Sequence, residues 1–362
     1  MEITGKITGI KYKLILASEL QKIKLEDFNI NDVPSSCLFT DDINFFAVSK
    51  WVSPKRTRSY PYERVYNTLH IAKKITVIPI VKDEGANGDR DFIQWDTVSL
   101  MSLLDVFVIF AFYSDAERVG DKIFQQKFDN NYVLEKIKEI SQYHSSALHW
   151  NLNELNTNFY DLIDNVKNSY KEIEEKTKVK LHNFTGLERF KVKIGKDVAS
   201  FMEFSRFKAR EAQKREFATV QPKENLSTLS KAKITISNYL GGQYFFTVDE
   251  IRISSDIVHL IERKHTRNSI MPSKGDIKDG LLKMILYANL SEVTVNDVVF
   301  KSEAILSLTS SALISNLTSA GTTTEKTTFC RINNFSDSQI QFMDDLFKEA
   351  NENNFIITLS AD

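Results

Sequence analysis

Apolar residues along the chain fall into three successive rhythms. Up to about residue 125 they come in short strand-like runs, of which Ile75 to Val81 and Val106 to Phe112 are almost continuously apolar. Runs of that kind suit strands buried on both faces. Thr97 to Leu104 between them reads as a short helix, so the stretch predicts a β-α-β unit with parallel strands. From Asn130 to Phe217 the spacing becomes helical, carried by Val133, Ile137 and Ile140 and then by Phe159, Leu162, Ile163, Val166 and Ile173. Pro222 closes a long charged helix and opens the third region. There Lys233 to Tyr239 reads as a strand, Leu240-Gly241-Gly242-Gln243 as a hairpin turn, and Thr247 to Lys264 as two strands around a polar turn. A helix over Asp276 to Asn289 and a strand over Val293 to Phe300 follow, and Leu306 to Thr328, rich in Ser and Thr, reads as a loop or irregular strand pair. The expected organisation is an N-terminal α/β unit over 1–125, a helical segment over 126–222 and a strand-rich unit over 223–362.

The Thr247 to Lys264 hairpin carries the densest chemistry. With Ser255 and Asp256 as the two turn residues, Asp249 falls directly opposite Glu262. Glu262 and Lys264 share one face of their strand, because side chains alternate with period two. Carboxylate oxygens suit Mg²⁺, and such an ion polarises a phosphate and lowers the pKa of a bound water. An acid two residues before a lysine also occurs at Glu174-Glu175-Lys176, in a charged helix, and at Asp276-Ile277-Lys278, where an acid suits a helix N-terminus. Only Glu262-Arg263-Lys264 closes an apolar strand, where charges need a partner or a metal. The competing reading is a solvated charge ladder on an edge strand.

Asp249 and Glu262-Arg263-Lys264, with a strand before them and a helix and strand after, resemble the core of the PD-(D/E)xK nucleases, the type II restriction endonucleases above all. The resemblance covers the last third of the chain. It implies an α/β protein of several units, in which 223–362 forms a restriction-endonuclease-like mixed β-sheet core flanked by helices. It further implies a Mg²⁺ ion held by Asp249 and Glu262, with Lys264 orienting or helping to deprotonate the attacking water. The implied activity is hydrolysis of phosphodiester bonds in duplex DNA at a specific sequence, by a homodimer. The sequence departs from the family at Val248, where the family carries proline, and Glu250 is an alternative first metal acid. By the same resemblance Glu203 or Glu211 would add an acid from the preceding helix. Two other functions compete: a repair or defence nuclease without sequence specificity, and a non-catalytic nucleic-acid-binding module with an inactive core.

Composition narrows this picture modestly. The chain has 362 residues, enough for two or three units, and its 47 Lys+Arg balance 48 Asp+Glu. Nucleic-acid contact therefore has to come from local patches. Neither a signal peptide nor an apolar run of membrane-spanning length is evident, so a soluble cytoplasmic protein without membrane contact is expected. Cys37 and Cys330 supply neither a disulfide framework nor a zinc site, and the histidines lack ligand spacing.

Two basic segments are candidates for DNA contact. The first runs from Ser49 to Arg64, where Lys50, Lys55, Arg56 and Arg58 lie among aromatics and prolines. For Trp51 alone, a place in the local core is the expectation. The second is a helical stripe of Arg206, Arg210 and Lys214, one turn apart. A third cluster, Lys82 to Asp96, holds five acids at the end of a buried strand; its readings are a second metal or substrate site, a base-reading loop, or a structural acid–arginine network.

Overall fold

A computed structural model describes residues 2–40, 45–55, 61–195, 197–207 and 232–361. The chain is mixed α/β and divides into two compact units, Ser18–Lys208 and a second built from Met1–Ala17 with Ala209–Asp362.

The chain begins with β1 (Glu2–Ile7), which belongs to the second unit. In the Ser18–Lys208 unit a five-stranded sheet runs in the order β2 (Gln21–Lys24), β3 (Ser36–Thr40), β4 (Phe45–Lys50), β5 (Lys73–Pro79) and β8 (Val106–Ala111). The short helix α1 (Pro61–Tyr66) joins β4 to β5. The expected β-α-β unit is present: β5 and β8 pair in parallel, and the connection between them includes α2 (Trp95–Leu103). All nine residues of α2 are buried, which explains why it lacks a polar stripe. Two small hairpins complete the strands: β6 (Val81–Asp83) with β7 (Arg90–Phe92), and β9 (Tyr113–Val119) with β10 (Lys122–Phe128).

The helices that follow are α3 (Asn130–Ser141), α4 (Ala147–Thr157), α5 (Phe159–Thr177), α6 (Thr185–Ile194) and the described part of α7, 198–207. They form no separate segment, and no unit boundary falls near 125. On α4, Asn151 is fully buried; it accepts from the Val108 amide at 2.7 Å and donates to the Val106 carbonyl at 3.0 Å. Trp150 donates to the Val108 carbonyl from the same helix. A helix whose side chains complete the hydrogen bonding of a strand is bound into that sheet.

The second unit holds a nine-stranded sheet in the order β12 (Gln243–Val248), β11 (Ala232–Asn238), β1, β15 (Ser291–Val295), β16 (Val298–Ser310), β14 (Ile257–Thr266) and β13 (Glu250–Ser254). The last strand, β18 (Ile356–Ala361), pairs with β16 and with the two-residue β17 (Leu317–Thr318). The turn expected at 240–243 is there one residue earlier, since β11 ends at Asn238 and β12 begins at Gln243, with Gly241 at φ 75°. Helix α8 (Lys274–Tyr287) connects β14 to the β15–β16 pair, and β16 returns parallel to β14. Helices α9 (Thr323–Ile332) and α10 (Asp337–Glu352) lead into β18.

Two expectations for this unit need correction. The strand expected over Val293 to Phe300 is a hairpin, because Asn296 and Asp297 both take positive φ and reverse the chain. The Ser/Thr-rich stretch from Leu306 is no loop at its start. Leu306 to Ser310 is the buried end of β16, held between β14 and β18, where Thr309 meets the His265 ring at 2.9 Å and Ser310 donates to the Ser269 carbonyl. Hydroxyls with partners are tolerated in a buried strand.

Candidate active site

The site is built where the chain passes from one strand pair to another. β12 ends at Val248 and β13 begins at Glu250, so Asp249 sits alone at the bend between them. The β13–β14 ladder has the expected register, from Glu250 opposite Ile261 to Ser254 opposite Ile257 around a two-residue turn. Asp249 is the next residue beyond that ladder. It is fixed by the Arg263 amide, which donates to its Oδ2 at 2.9 Å.

Glu262 and Lys264 project from the face of β14 that α8 covers. Glu262 is 1% exposed, and Lys264 Nζ lies 3.1 Å from its Oε1. Two residues of α8, one turn apart, complete the cluster. Asp279 accepts from Lys264 at 3.1 Å, and Lys283 donates to both oxygens of Glu262 at 2.7 Å. Gly280 lies between these two on the helix, and a Cβ there would meet Leu306 Cδ1 at 2.8 Å and Lys264 Cε at 3.4 Å. Glycine in a helix interior costs about 1 kcal/mol against alanine. Here it brings α8 close to the strands that carry the charged groups.

The electrostatics follow from burial and proximity. Burial, reinforced by the adjacent Glu262 carboxylate, raises the pKa of Asp249, against the pull of Lys283 and the Arg263 amide. Burial pulls Lys264 down, but Glu262 and Asp279 outweigh it and lift its pKa to about 12. Lys264 is therefore an ammonium at neutral pH. Its direct chemistry is to attract and orient an anion or a water, and proton removal falls to another group.

Glu250 is buried on the opposite face, in company with Arg252 (2.6 Å) and with Arg263, whose Nε and Nη2 reach Glu250 Oε2 at 3.0 and 2.5 Å. Both acids of the pair 249–250 are thus accounted for: Asp249 joins Glu262, and Glu250 joins two guanidiniums. Asp276, which shares the acid-x-lysine spacing, is bonded to the N-cap Ser273 in the ordinary manner of a helix start.

The basic candidates are less well gathered. Lys50 turns inward and donates to the Ile30 carbonyl at 2.6 Å and the Asn31 carbonyl at 3.3 Å, and burial lowers its pKa. Its ammonium is withdrawn from the exposed position that a phosphate contact requires, which removes it from the set expected from sequence. Lys55 is half exposed, 3.8 Å from Asp91. Arg56, Arg58, Arg210, Lys214 and Glu211 lie outside the described residues. Arg206 is part-buried and directs Nη2 at the Met202 sulfur, and Glu203 is exposed on the same helix. Trp51 is fully buried and packs edge-on against Tyr62, as expected for a core residue.

Of the three readings of Lys82 to Asp96, the geometry is that of the structural network. Asp83 is buried, pairs with His182 at 2.8 Å and Arg90 at 3.9 Å, and accepts the Gly85 amide, while Arg90 also donates to the Asn183 carbonyl. Among the described residues no group of three or more His, Cys, Asp or Glu side chains is arranged to hold a metal ion, so any ion at Asp249 and Glu262 would rest on two protein carboxylates.

Asp279 and Lys283 were not singled out by sequence reasoning. Their signal was an acid and a lysine one helical turn apart, flanking Gly280, Leu281 and Leu282, on the helix that follows the acidic strand.

No family model, curated protein or solved structure matches this chain. Among the described residues no helix is long and apolar enough to cross a membrane.

Proposed function

We propose that this protein is a Mg²⁺-dependent DNA endonuclease whose reacting groups are Asp249, Glu262 and Lys264, and that it cuts duplex DNA at a specific sequence as a type II restriction endonuclease does. The observation that carries the reading is the junction itself. An isolated aspartate at a strand-to-strand bend stands beside a buried glutamate, with a lysine two residues on and the same face covered by the helix that leads to a parallel strand. This order of elements supports the resemblance to the PD-(D/E)xK core.

The donor set suits a hard divalent cation. Two neighbouring carboxylates, one of them with raised proton affinity, favour a shared positive charge. Asp249 and Glu262 would hold the ion, which supplies Lewis acidity toward a phosphoryl oxygen and a more acidic bound water. Lys264 places a fixed positive charge two residues from Glu262, where it draws in the phosphodiester and offsets charge that builds on phosphorus-bound oxygen. Asp279 holds that ammonium in place. In the overall reaction, water adds to phosphorus, one P–O ester bond breaks, and the departing oxygen takes up a proton.

In this reading the Ser18–Lys208 unit supplies DNA recognition, with Lys55, Arg56 and Arg58 contacting phosphates, and two copies act together to cut both strands. Digestion of long unmethylated DNA with Mg²⁺, followed by sequencing of the fragment ends, tests it. Discrete ends at one sequence support restriction, and random ends point to a non-specific nuclease. Binding without cutting, in the presence of Mg²⁺ or Mn²⁺, refutes the catalytic reading and leaves a binding module.

A further inference from the structure

We infer that the Lys283 ammonium is an internal, displaceable cation, filling the divalent-ion position of the Asp249–Glu262 pair until a metal ion arrives. The inference rests on the metal-site reading above and assigns α8 a part in it.

Three observations lead here. Lys283 Nζ sits 2.7 Å from each oxygen of Glu262, the symmetric placement a single cation takes before a bidentate carboxylate. Its charge also acts on Asp249, so one ammonium serves both acids. The two lysines on Glu262 are anchored differently. Lys264 is tied to Asp279 as well as to Glu262, whereas the hydrogen-bonding partners of Lys283 among the described residues are the two Glu262 oxygens.

Charge balance says that one lysine yields, and anchoring says which. Asp249, Glu262 and Asp279 face Lys264 and Lys283, three acids against two bases. A divalent ion added to that set leaves an excess of one positive charge, and departure of one ammonium restores neutrality. Both lysines have a flexible four-carbon stem and nearly equal exposure, 19% for Lys283 and 18% for Lys264, so the anchoring decides: among the described residues Lys283 is held by Glu262 alone and Lys264 by Glu262 and Asp279. Swung outward, Lys283 would carry its charge into solvent.

The test measures Mn²⁺ binding to the full-length protein without DNA, by electron paramagnetic resonance of the free ion. Lys283→Met keeps the apolar stem and removes the competitor, so Mn²⁺ should bind about tenfold tighter or more than to wild type, the equivalent of one charge-assisted hydrogen bond. Lys283→Arg should bind Mn²⁺ more weakly than wild type, because a guanidinium grips a carboxylate with two parallel bonds. Glu262→Gln should abolish binding in every background. Equal affinity of wild type, Lys283→Met and Lys283→Arg, with binding still lost in Glu262→Gln, overturns the displacement and leaves the metal site standing. Failure of wild type and Lys283→Met alike to bind Mn²⁺, or binding that survives Glu262→Gln, overturns the metal-site reading and the displacement with it. If circular dichroism shows that Lys283→Met does not fold, Lys283→Arg decides alone: weaker binding supports the displacement and unchanged binding overturns it.

Discussion

Glu262→Ala separates the stability of the charged cluster from its chemistry. The side chain is 1% exposed and receives Lys283 at 2.7 Å on both oxygens and Lys264 at 3.1 Å. Truncation leaves two ammoniums beneath a helix with Asp249 and Asp279 as the remaining acids. Breaking a buried pair by removing one partner costs about 3–5 kcal/mol, and the partial solvation of both lysines argues for the low end, about 3 kcal/mol. Their side chains retain 19% and 18% exposure. Adding Lys283→Met to Glu262→Ala removes one stranded charge and should restore about 1 kcal/mol.

The assay uses the placement of the tryptophans. All three, Trp51, Trp95 and Trp150, belong to the Ser18–Lys208 unit. In urea, tryptophan fluorescence therefore follows that unit, while far-UV circular dichroism follows both. Glu262→Ala should move the dichroism transition to lower urea and leave the fluorescence transition where it was. A loss below about 1 kcal/mol, the scale of a surface pair, would refute the view that Glu262 is the buried hub of the cluster.

Asp249→Asn should stabilise the folded protein at neutral pH. The folded state holds the Asp249 proton more tightly than the unfolded chain does, so ionisation opposes folding; the opposition is complete above the raised pKa and vanishes below the ordinary value of 3.8. Urea titrations across that interval should show the advantage of Asn shrinking as pH falls, and a pH-independent difference would contradict the assignment. Gly280→Ala should be net destabilising by about 1 kcal/mol, since pushing Leu306 aside costs about 1–3 kcal/mol against a helix gain near 1. A clear rise in the dichroism midpoint would mean that α8 is not seated as closely as described. Lys55→Ala should weaken DNA binding equally on cognate and scrambled duplexes and reduce the log-log salt slope by about one. An unchanged slope in salt-titrated binding would place the phosphates elsewhere.

Local rules carried far where one face or one turn decides the outcome. The register around Ser255 and Asp256 was legible because a two-residue turn fixes every pair behind it, and that brought Asp249 to Glu262. The parallel pairing of Ile75 to Val81 with Val106 to Phe112 was legible because both runs are apolar on both faces. The unit boundaries were not. A helix such as α4 has an ordinary helical sequence, and its membership in the first sheet depends on Asn151 and Trp150 reaching β8, a tertiary contact that periodicity does not encode. Lys50 was misjudged for a related reason: a lysine in a basic run looks solvated, and only the fold reveals that its ammonium answers two main-chain carbonyls. Asp279 and Lys283 escaped notice because a single acid–lysine pair on a helix is commonplace until the strand beneath it is known.

Placement of β1 in the middle of the nine-stranded sheet has a consequence for biosynthesis. Glu2 pairs with Lys233 on one side and Ile3 with Val295 on the other, so β1 is synthesised well ahead of both its neighbours and must wait for them before it can pair. During that wait the Ser18–Lys208 unit is already complete and free to fold by itself, as domains do when they emerge in order. The strand-rich unit, closed through such distant pairings, belongs to the slow class of topologies. The sheet around its carboxylates is therefore completed only after translation has passed Ser291–Val295. A chain that stopped short of β15 would carry a complete Ser18–Lys208 unit and an unfinished second sheet, so the cluster around Glu262 would lack part of the sheet that holds its strand in place.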